Sequence, residues 1–244
     1  MQLNFQLYLI NKLSMLNIEP TVNLIMKNIS KENYLSVIYK SSDSNGEIKA
    51  NQIAENLNIS GAAVTDMLRK LSKEGYVDYK RYKGIRLTQS GEDYARNMVR
   101  RHRIWELFLH QIVGLPWDKV HNEAHNLEHS ASDELINKME EMLDFPEYDP
   151  HGDPIPDKNG KLPKGNSGVP LSTINPGRKV KVNRVHDFDS SFLQYVSKIG
   201  IELNKEVTVV EAMGFDHSLL VEIDKKETSI SSKVAANIFV TEVK

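Results

Sequence analysis

The chain has 244 residues, 40% of them hydrophobic and 26% charged, with a net charge of −2 at neutral pH. That length is enough for two domains, or one with an appendage, and the hydrophobic fraction supports real cores. The absence of cysteine excludes disulfides and thiolate metal sites, and no apolar run reaches the ~20 residues that span a bilayer, so the expected location is cytoplasmic.

In chain order, residues 1–26 carry Leu3, Phe5, Leu7, Leu9 and Ile10 without an early basic residue. They read as an N-terminal extension and not a secretory signal: either an extra amphipathic helix or, the favoured reading, a stretch ahead of a working start nearer Met26. Over 27–89, Ser30 is a suitable N-cap for a helix bearing Tyr34, Leu35, Val37, Ile38 and Tyr39. A short helix follows from Ala50 to Leu57, and after Asn58-Ile59, Ser60 caps a third whose Val64, Leu68 and Leu71 face inward up to Gly75. Tyr76–Tyr79 and Ile85–Leu87 alternate as two strands around a basic turn at Lys80–Gly84. Helix, turn, helix and a basic hairpin make a winged helix-turn-helix.

The helix after Ser60 presents Ala62, Ala63, Thr65, Asp66, Arg69 and Lys70 outward. Small and hydroxyl residues permit close approach to base edges, while Arg69, Lys70, Arg81 and Lys83 suit phosphates. Asp66 must read a cytosine amino group or lie aside. Charge supports this: residues 69–86 hold Arg69, Lys70, Lys73, Lys80, Arg81, Lys83 and Arg86 against only Glu74 and Asp78. The blander reading of such a run is a solvated helix face.

Over 90–146, Ser90 with Asp93 forms a capping box for a helix ending near Val113, with Met98, His102, Trp105, Phe108, Leu109 and Ile112 near one stripe. A second helix is expected from Asp118 to Leu143, with Val120, Ala124, Leu127, Ala131, Leu135, Met139 and Met142 as its apolar face. Exposed Trp105, Phe108 and Leu109 suggest a dimer interface. Residues 147–178 read as a linker, because 144–178 hold seven of the nine prolines and five glycines. In 179–244, Lys179–Val185, Val207–Val210, Leu219–Ile223 and Ile238–Val243 read as strands and Ser190–Ile199 as a helix, suggesting a five-stranded barrel.

His102 and Glu106, then His121, His125, Glu128 and His129, recur at helical spacing. At 100° per residue the last four span roughly a third of the circumference. Imidazole with carboxylate suits Mn, Fe, Co, Ni or Zn, whereas a polar solvated face is the alternative. His110 lacks an evident partner. The H-E-x-x-H order of zinc hydrolases is missing, as are a nucleophile turn and a phosphate-cradling loop, so an enzyme is not expected.

The order of winged helix, ligand stripes, proline-rich segment and small β domain resembles the diphtheria toxin repressor and manganese transport regulator family over about residues 27–244. The most specific stretches are Arg100-Arg101-His102-Arg103, Lys119 through His129, Ser132-Asp133-Glu134 and His151-Gly152-Asp153-Pro154-Ile155-Pro156. The resemblance implies a mainly α chain with an N-terminal winged helix-turn-helix, a helical dimerisation domain and a C-terminal SH3-like β-barrel. It implies one metal site joining His125, Glu128 and His129 to Asn33, with Glu32 as substitute. A second would use His102, Glu106, His121 and Asp187, with Asp189 as fallback. Iron-responsive relatives have cysteine where His125 stands and many manganese-responsive ones glutamate, while Asn33 replaces the usual methionine or aspartate. The expected function is that of a homodimeric repressor of manganese or iron uptake genes, activated by Mn²⁺ or Fe²⁺ and bound to palindromic double-stranded DNA. The alternative is a winged-helix regulator answering another ligand, with a structural metal.

Overall fold

The computed structural model describes residues 19–42, 45–80, 83–165, 168–187 and 189–243, with side chains of the opening helix from residue 29. The chain divides into two compact units, with the break between Met98 and Val99.

In the first unit, α1 (Glu19–Ser41) runs through Ser30 instead of starting at it. Pro20 falls in its first turn, where a missing N–H costs no hydrogen bond, and no glycine or proline follows until Gly46. Helices α2 (Ala50–Leu57) and α3 (Gly61–Lys73) have the expected spans. Asn58 ends α2 in the left-handed conformation, with φ of 51°. The Ser60 hydroxyl accepts a 3.2 Å bond from the Ala63 N–H at the start of α3. Leu35, Ile38, Ile53, Val64 and Leu68 are fully buried between these helices. Strands β1 (Val77–Asp78) and β2 (Arg86–Leu87) pair antiparallel, and Ile48 and Ile85 exchange both backbone bonds beside them.

Helix α4 (Gln89–Gln111) is capped by Thr88, not by the expected Ser90–Asp93 box. The Thr88 hydroxyl oxygen accepts from the Gly91 N–H at 3.1 Å and donates its own hydrogen to the Gly75 carbonyl at 2.6 Å. This closes the hairpin onto the helix start. A Cβ at Gly91 would lie 2.0 Å from the Tyr76 carbonyl oxygen, so glycine is required for that approach.

The second unit corrects the single helix expected over Asp118–Leu143. It contains α5 (Val120–Glu128) and α6 (Asp133–Met142), separated at residues 129–132. Ser132 has extended backbone and accepts from the Leu135 N–H at 3.2 Å, and Asp133 and Glu134 complement the helix dipole. The break resets the helical phase. Ile136 and Met139 are buried, while Leu135 and Met142 are 45% and 63% exposed. Leu109 is also not the exposed interface residue expected: it is buried against Val120 and Ala124, with Trp105 and Phe108 partly buried nearby.

Residues 149–155 belong to the core, contrary to the linker expected there. His151 is fully buried, and Asp149, Asp153 and Ile155 nearly so. Asp149 Oδ1 accepts from the backbone N–H groups of His151 and Asp153 at 2.8 and 2.9 Å, which coils the loop tightly. Gly152 has φ of +88°, and a Cβ there would sit 2.1 Å from the Asn183 carbonyl oxygen. The loop therefore lies directly on β4 (Lys179–Val185), whose Val185 N–H donates to the His151 carbonyl at 2.9 Å.

The remaining elements are β3 (Val169–Pro170), α7 (Ser190–Lys198), β5 (Glu206–Ala212), β6 (Leu219–Ile223), β7 (Lys226–Ile230), α8 (Ser232–Ala236) and β8 (Ile238–Glu242). The sheet is antiparallel with order β3-β8-β4-β5-β6-β7, six strands among the described residues where five were expected. Beyond the four strands located from the sequence, the sheet contains β3, inside the presumed linker, and the polar β7. A two-residue turn joins β6 to β7, with Asp224 and Lys225 both at positive φ, the geometry that matches hairpin twist. Val180, Val182, Val207, Val209, Val221 and Val240 fill the core. No helix among the described residues is long and apolar enough to cross a membrane.

Candidate metal centre and nucleic-acid interface

In the first unit, Ser60, Ala62, Ala63, Asp66, Arg69 and Lys70 are exposed on and around α3. Thr65 is half-buried and its hydroxyl donates to the Gly61 carbonyl. Arg69 Nη1 lies 3.3 Å from Asp66 Oδ1, so the charge of the acid on this face is offset within the helix. Lys83 is exposed at the wing, and Arg81 lies outside the described residues. Asn33 is half-buried on α1, beside a depression also lined by Ser30, Ala63 and Lys70. Glu32 accepts a 2.8 Å bond from the Tyr94 hydroxyl, a contact that competes with any ligand role.

In the second unit, α4 and α5 bring six ligand-type side chains together. His102 and Glu106, one turn apart on α4, are buried at 4% and 0% exposure. Glu106 Oε1 lies 3.0 Å from both His102 Nε2 and His121 Nδ1, and the two ring nitrogens are 3.1 Å apart. Asp187, in the stretch after β4, places Oδ2 3.3 Å from His121 Nδ1. Asp189 is instead the N-cap of α7, accepting from the Ser191 N–H at 2.8 Å. Around Glu128, His102 Nδ1 approaches Oε2 at 2.5 Å, while His125 Nδ1 and His129 Nε2 reach Oε1 at 3.0 and 3.3 Å. The His125 and His129 rings are neighbours, 5.3 Å between centroids. His110 faces the Leu115 carbonyl and takes no part.

The two groups expected as separate sites are thus continuous through His102. Electrostatics follows from this crowding. Burial alone would raise the Glu128 carboxyl, yet hydrogen bonds from His102 and His125, with their charges, bring it down to about 2. Burial opposes ionisation of Glu106 as well, but the His102 charge and bonds from His102 and His121 hold it well below the carboxylate range. His121 is pushed the other way: burial disfavours its charge, but Asp187 and Glu106 raise it to about 9.

Such a centre needs positive charge, supplied by protons or by a cation. Its donor set is imidazole and carboxylate without thiolate, which suits a divalent first-row metal. The spacing fits too. Separations of 3.0–3.1 Å among His102, Glu106 and His121 match neighbouring corners of an octahedron with bonds of about 2.1 Å.

Asp149 and His151 escaped the sequence reading. His151 Nδ1 lies 3.8 Å from Glu106 Oε2, too far for a hydrogen bond and close enough for strong charge attraction. Burial would lower His151, but Glu106 raises it to about 10; Asp149 is raised to about 8 by burial and by Glu106 and Asp153. The signal available was the density of ligand types in Asp149-Pro150-His151-Gly152-Asp153, unlike the serine and glutamate of a solvated linker.

Residues 28–85 match the family model described as the iron dependent repressor N-terminal DNA binding domain. Residues 88–157 match the iron dependent repressor metal binding and dimerisation domain, and residues 169–242 the FeoA domain. The chain is 30% identical over 192 residues to the diphtheria toxin repressor of Corynebacterium glutamicum, covering 75% of this chain and 84% of that protein. A manganese-dependent transcriptional repressor in complex with manganese superposes with a TM-score of 0.81 at 34% identity, over 87% of this chain and 100% of the other. The manganese regulator SloR gives a TM-score of 0.74 at 30% identity, over 87% and 98%. Matched along its length by these models and this relative, the chain belongs to the diphtheria toxin repressor family of metal-dependent transcriptional repressors.

Proposed function

We propose that this protein is a cytoplasmic, homodimeric repressor that binds operator DNA when Mn²⁺ or Fe²⁺ is bound, and that it regulates uptake of that metal. The observation that carries the reading is the convergence of His102, Glu106, His121 and Asp187, linked through His102 to Glu128, His125 and His129. We assign the first four to one cation and the last three to another. Asn33 rests on the resemblance alone. When bound, a divalent cation supplies the positive charge that these carboxylates otherwise draw from protonated imidazoles.

The residues themselves set the specificity. Mixed imidazole and carboxylate ligation without thiolate suits manganese or ferrous iron. On the DNA side, Ala62, Ala63 and Thr65 are small enough to approach base edges, while Arg69, Lys70 and Lys83 are exposed for phosphates. A dimer presents two such helices to half-sites about one helical turn apart. Metal and DNA binding are linked reciprocally, so operator DNA raises metal affinity by the factor by which metal raises DNA affinity. These groups serve regulation, not turnover.

A gel-shift titration of anaerobically purified protein against a palindromic operator, with Mn²⁺, Fe²⁺ or chelator, tests this. Tight binding only with metal is expected. Equal DNA affinity in chelator and in metal removes the sensor reading.

A further inference from the structure

The cation position assigned above uses one oxygen of Glu106. The other, Oε2, is buried and has no hydrogen-bond partner among the described residues, and the same holds for His151 Nδ1 and Asp149 Oδ2. These three residues form a group of their own, with ligand atoms within 4.8 Å of one another. All three are almost wholly buried, at 0%, 0% and 3% exposure.

Each is held by its opposite atom. His151 Nε2 lies 2.8 Å from the Trp117 carbonyl, which only accepts, so Nε2 carries hydrogen and Nδ1 offers a lone pair in the neutral ring. The ring also stacks on Trp117, 27° from parallel. Asp149 Oδ1 is committed to two backbone N–H groups, leaving Oδ2, with Arg103 Nε 3.5 Å away. Glu106 Oε1 faces His102 and His121. Three oriented, desolvated ligand atoms with only ion pairs at 3.5 and 3.8 Å and no hydrogen bond are costly to maintain unless something joins them. Two carboxylates and an imidazole select a cation.

We propose that Glu106 bridges two adjacent divalent cations, Oε1 serving the position of His102, His121 and Asp187, and Oε2 serving a second formed with Asp149 and His151. Carboxylate-bridged ions of this kind lie about 3.5–4 Å apart. The inference rests on the proposed reading of the first position and extends it. Occupancy of the second position ties the 149–155 loop to α4.

The test uses full-length metal-free protein dialysed against Mn²⁺, with metal content by mass spectrometry and electron paramagnetic resonance on the same samples. The wild type is expected to give an exchange-coupled manganese pair. Asp149→Asn keeps the Oδ1 acceptor, and His151→Gln keeps a donor for Trp117. Each is expected to bind one fewer ion per chain and to show isolated manganese only. A wild-type spectrum of isolated ions alone overturns the bridged pair while leaving the first position standing, and it decides the matter even where a variant does not fold. Folded variants that keep the wild-type ion count and coupled signal overturn it as well. Wild type that binds no manganese overturns both readings.

Discussion

Glu128→Gln keeps the side-chain volume and removes the charge on which His102, His125 and His129 converge. A carboxyl held at about 2 in place of its ordinary 4.5 contributes about 3 kcal/mol to the folded second unit. Its side chain is only 7% exposed, so solvent screening takes little from that figure. Because the folded pKa is lowered, the contribution is complete above about 4.5 and disappears as the pH falls towards 2. In chelator at neutral pH, the variant should therefore melt roughly 10 °C below wild type, and the gap should narrow as the solution is acidified below 4.5. Manganese adds a second difference. At a hundred times its Kd a cation stabilises wild type by about 2.7 kcal/mol, and a variant lacking this charged ligand should gain much less. Calorimetric melts with and without Mn²⁺, paired with fluorescence anisotropy on operator DNA, measure both. The reasoning is refuted if the variant melts with wild type in chelator at neutral pH, or if manganese raises its DNA affinity as it does for wild type.

Lys70→Ala and Lys83→Ala should each weaken DNA binding evenly across sequences and reduce the slope of log affinity against log salt by about 1, read from anisotropy at several salt concentrations. Ile136→Ala should cost about 2–5 kcal/mol and Leu135→Ala well under 1 in denaturant melts, and the reverse order would restore the uninterrupted helix. Gly91→Ala should destabilise the first unit, because its Cβ would meet the Tyr76 carbonyl oxygen at 2.0 Å; melting unchanged from wild type would contradict that packing. Manganese affinity, followed by titration calorimetry, should rise with pH up to about 9, where His121 gives up its proton. Protons compete for the same nitrogen, so the expected gain approaches tenfold per pH unit, and a flat profile would count against His121 as a ligand.

The recognition helix was legible because local chemistry and packing agree there: Ser60 caps it, Gly75 follows it, and Val64, Leu68 and Leu71 all face inward. The clustering of ligand-type side chains on the helices was legible for the same reason, since spacing along a helix fixes which side chains share a face. At α5 and α6 two signals conflicted. The apolar period ran on through Ala131, while Ser132-Asp133-Glu134 announced a new helix start, and the capping hydrogen bond prevailed. The 149–155 loop was opaque for a different reason. Its prolines and glycine resemble a linker, but its order comes from Asp149 gripping two backbone N–H groups and from Gly152 lying against Asn183. The first is a local turn that composition alone does not announce, and the second depends on a strand some thirty residues away, beyond any local pattern. Asp187 came from resemblance, because a lone aspartate after a strand has no periodicity.

The metal centre's charge arrangement bears on why it would respond to metal instead of merely holding it. Near neutral pH, Glu106 and Glu128 are ionised while His121 and His151 favour their protonated forms. The charges of Glu106 and Glu128 are therefore largely compensated by these imidazolium groups without a cation. Cation binding at the proposed positions would exchange those protons for metal charge, so the net change in buried charge would be small and much of the gross metal–ligand attraction would be offset by proton release. A site left with bare carboxylates would bind a cation far more tightly, but would lose stability whenever the cation left. Proton compensation would lower affinity and reduce the electrostatic penalty of the metal-free state. That combination gives a reversible equilibrium within the range of a changing metal supply, which a regulator requires and a purely structural metal site does not.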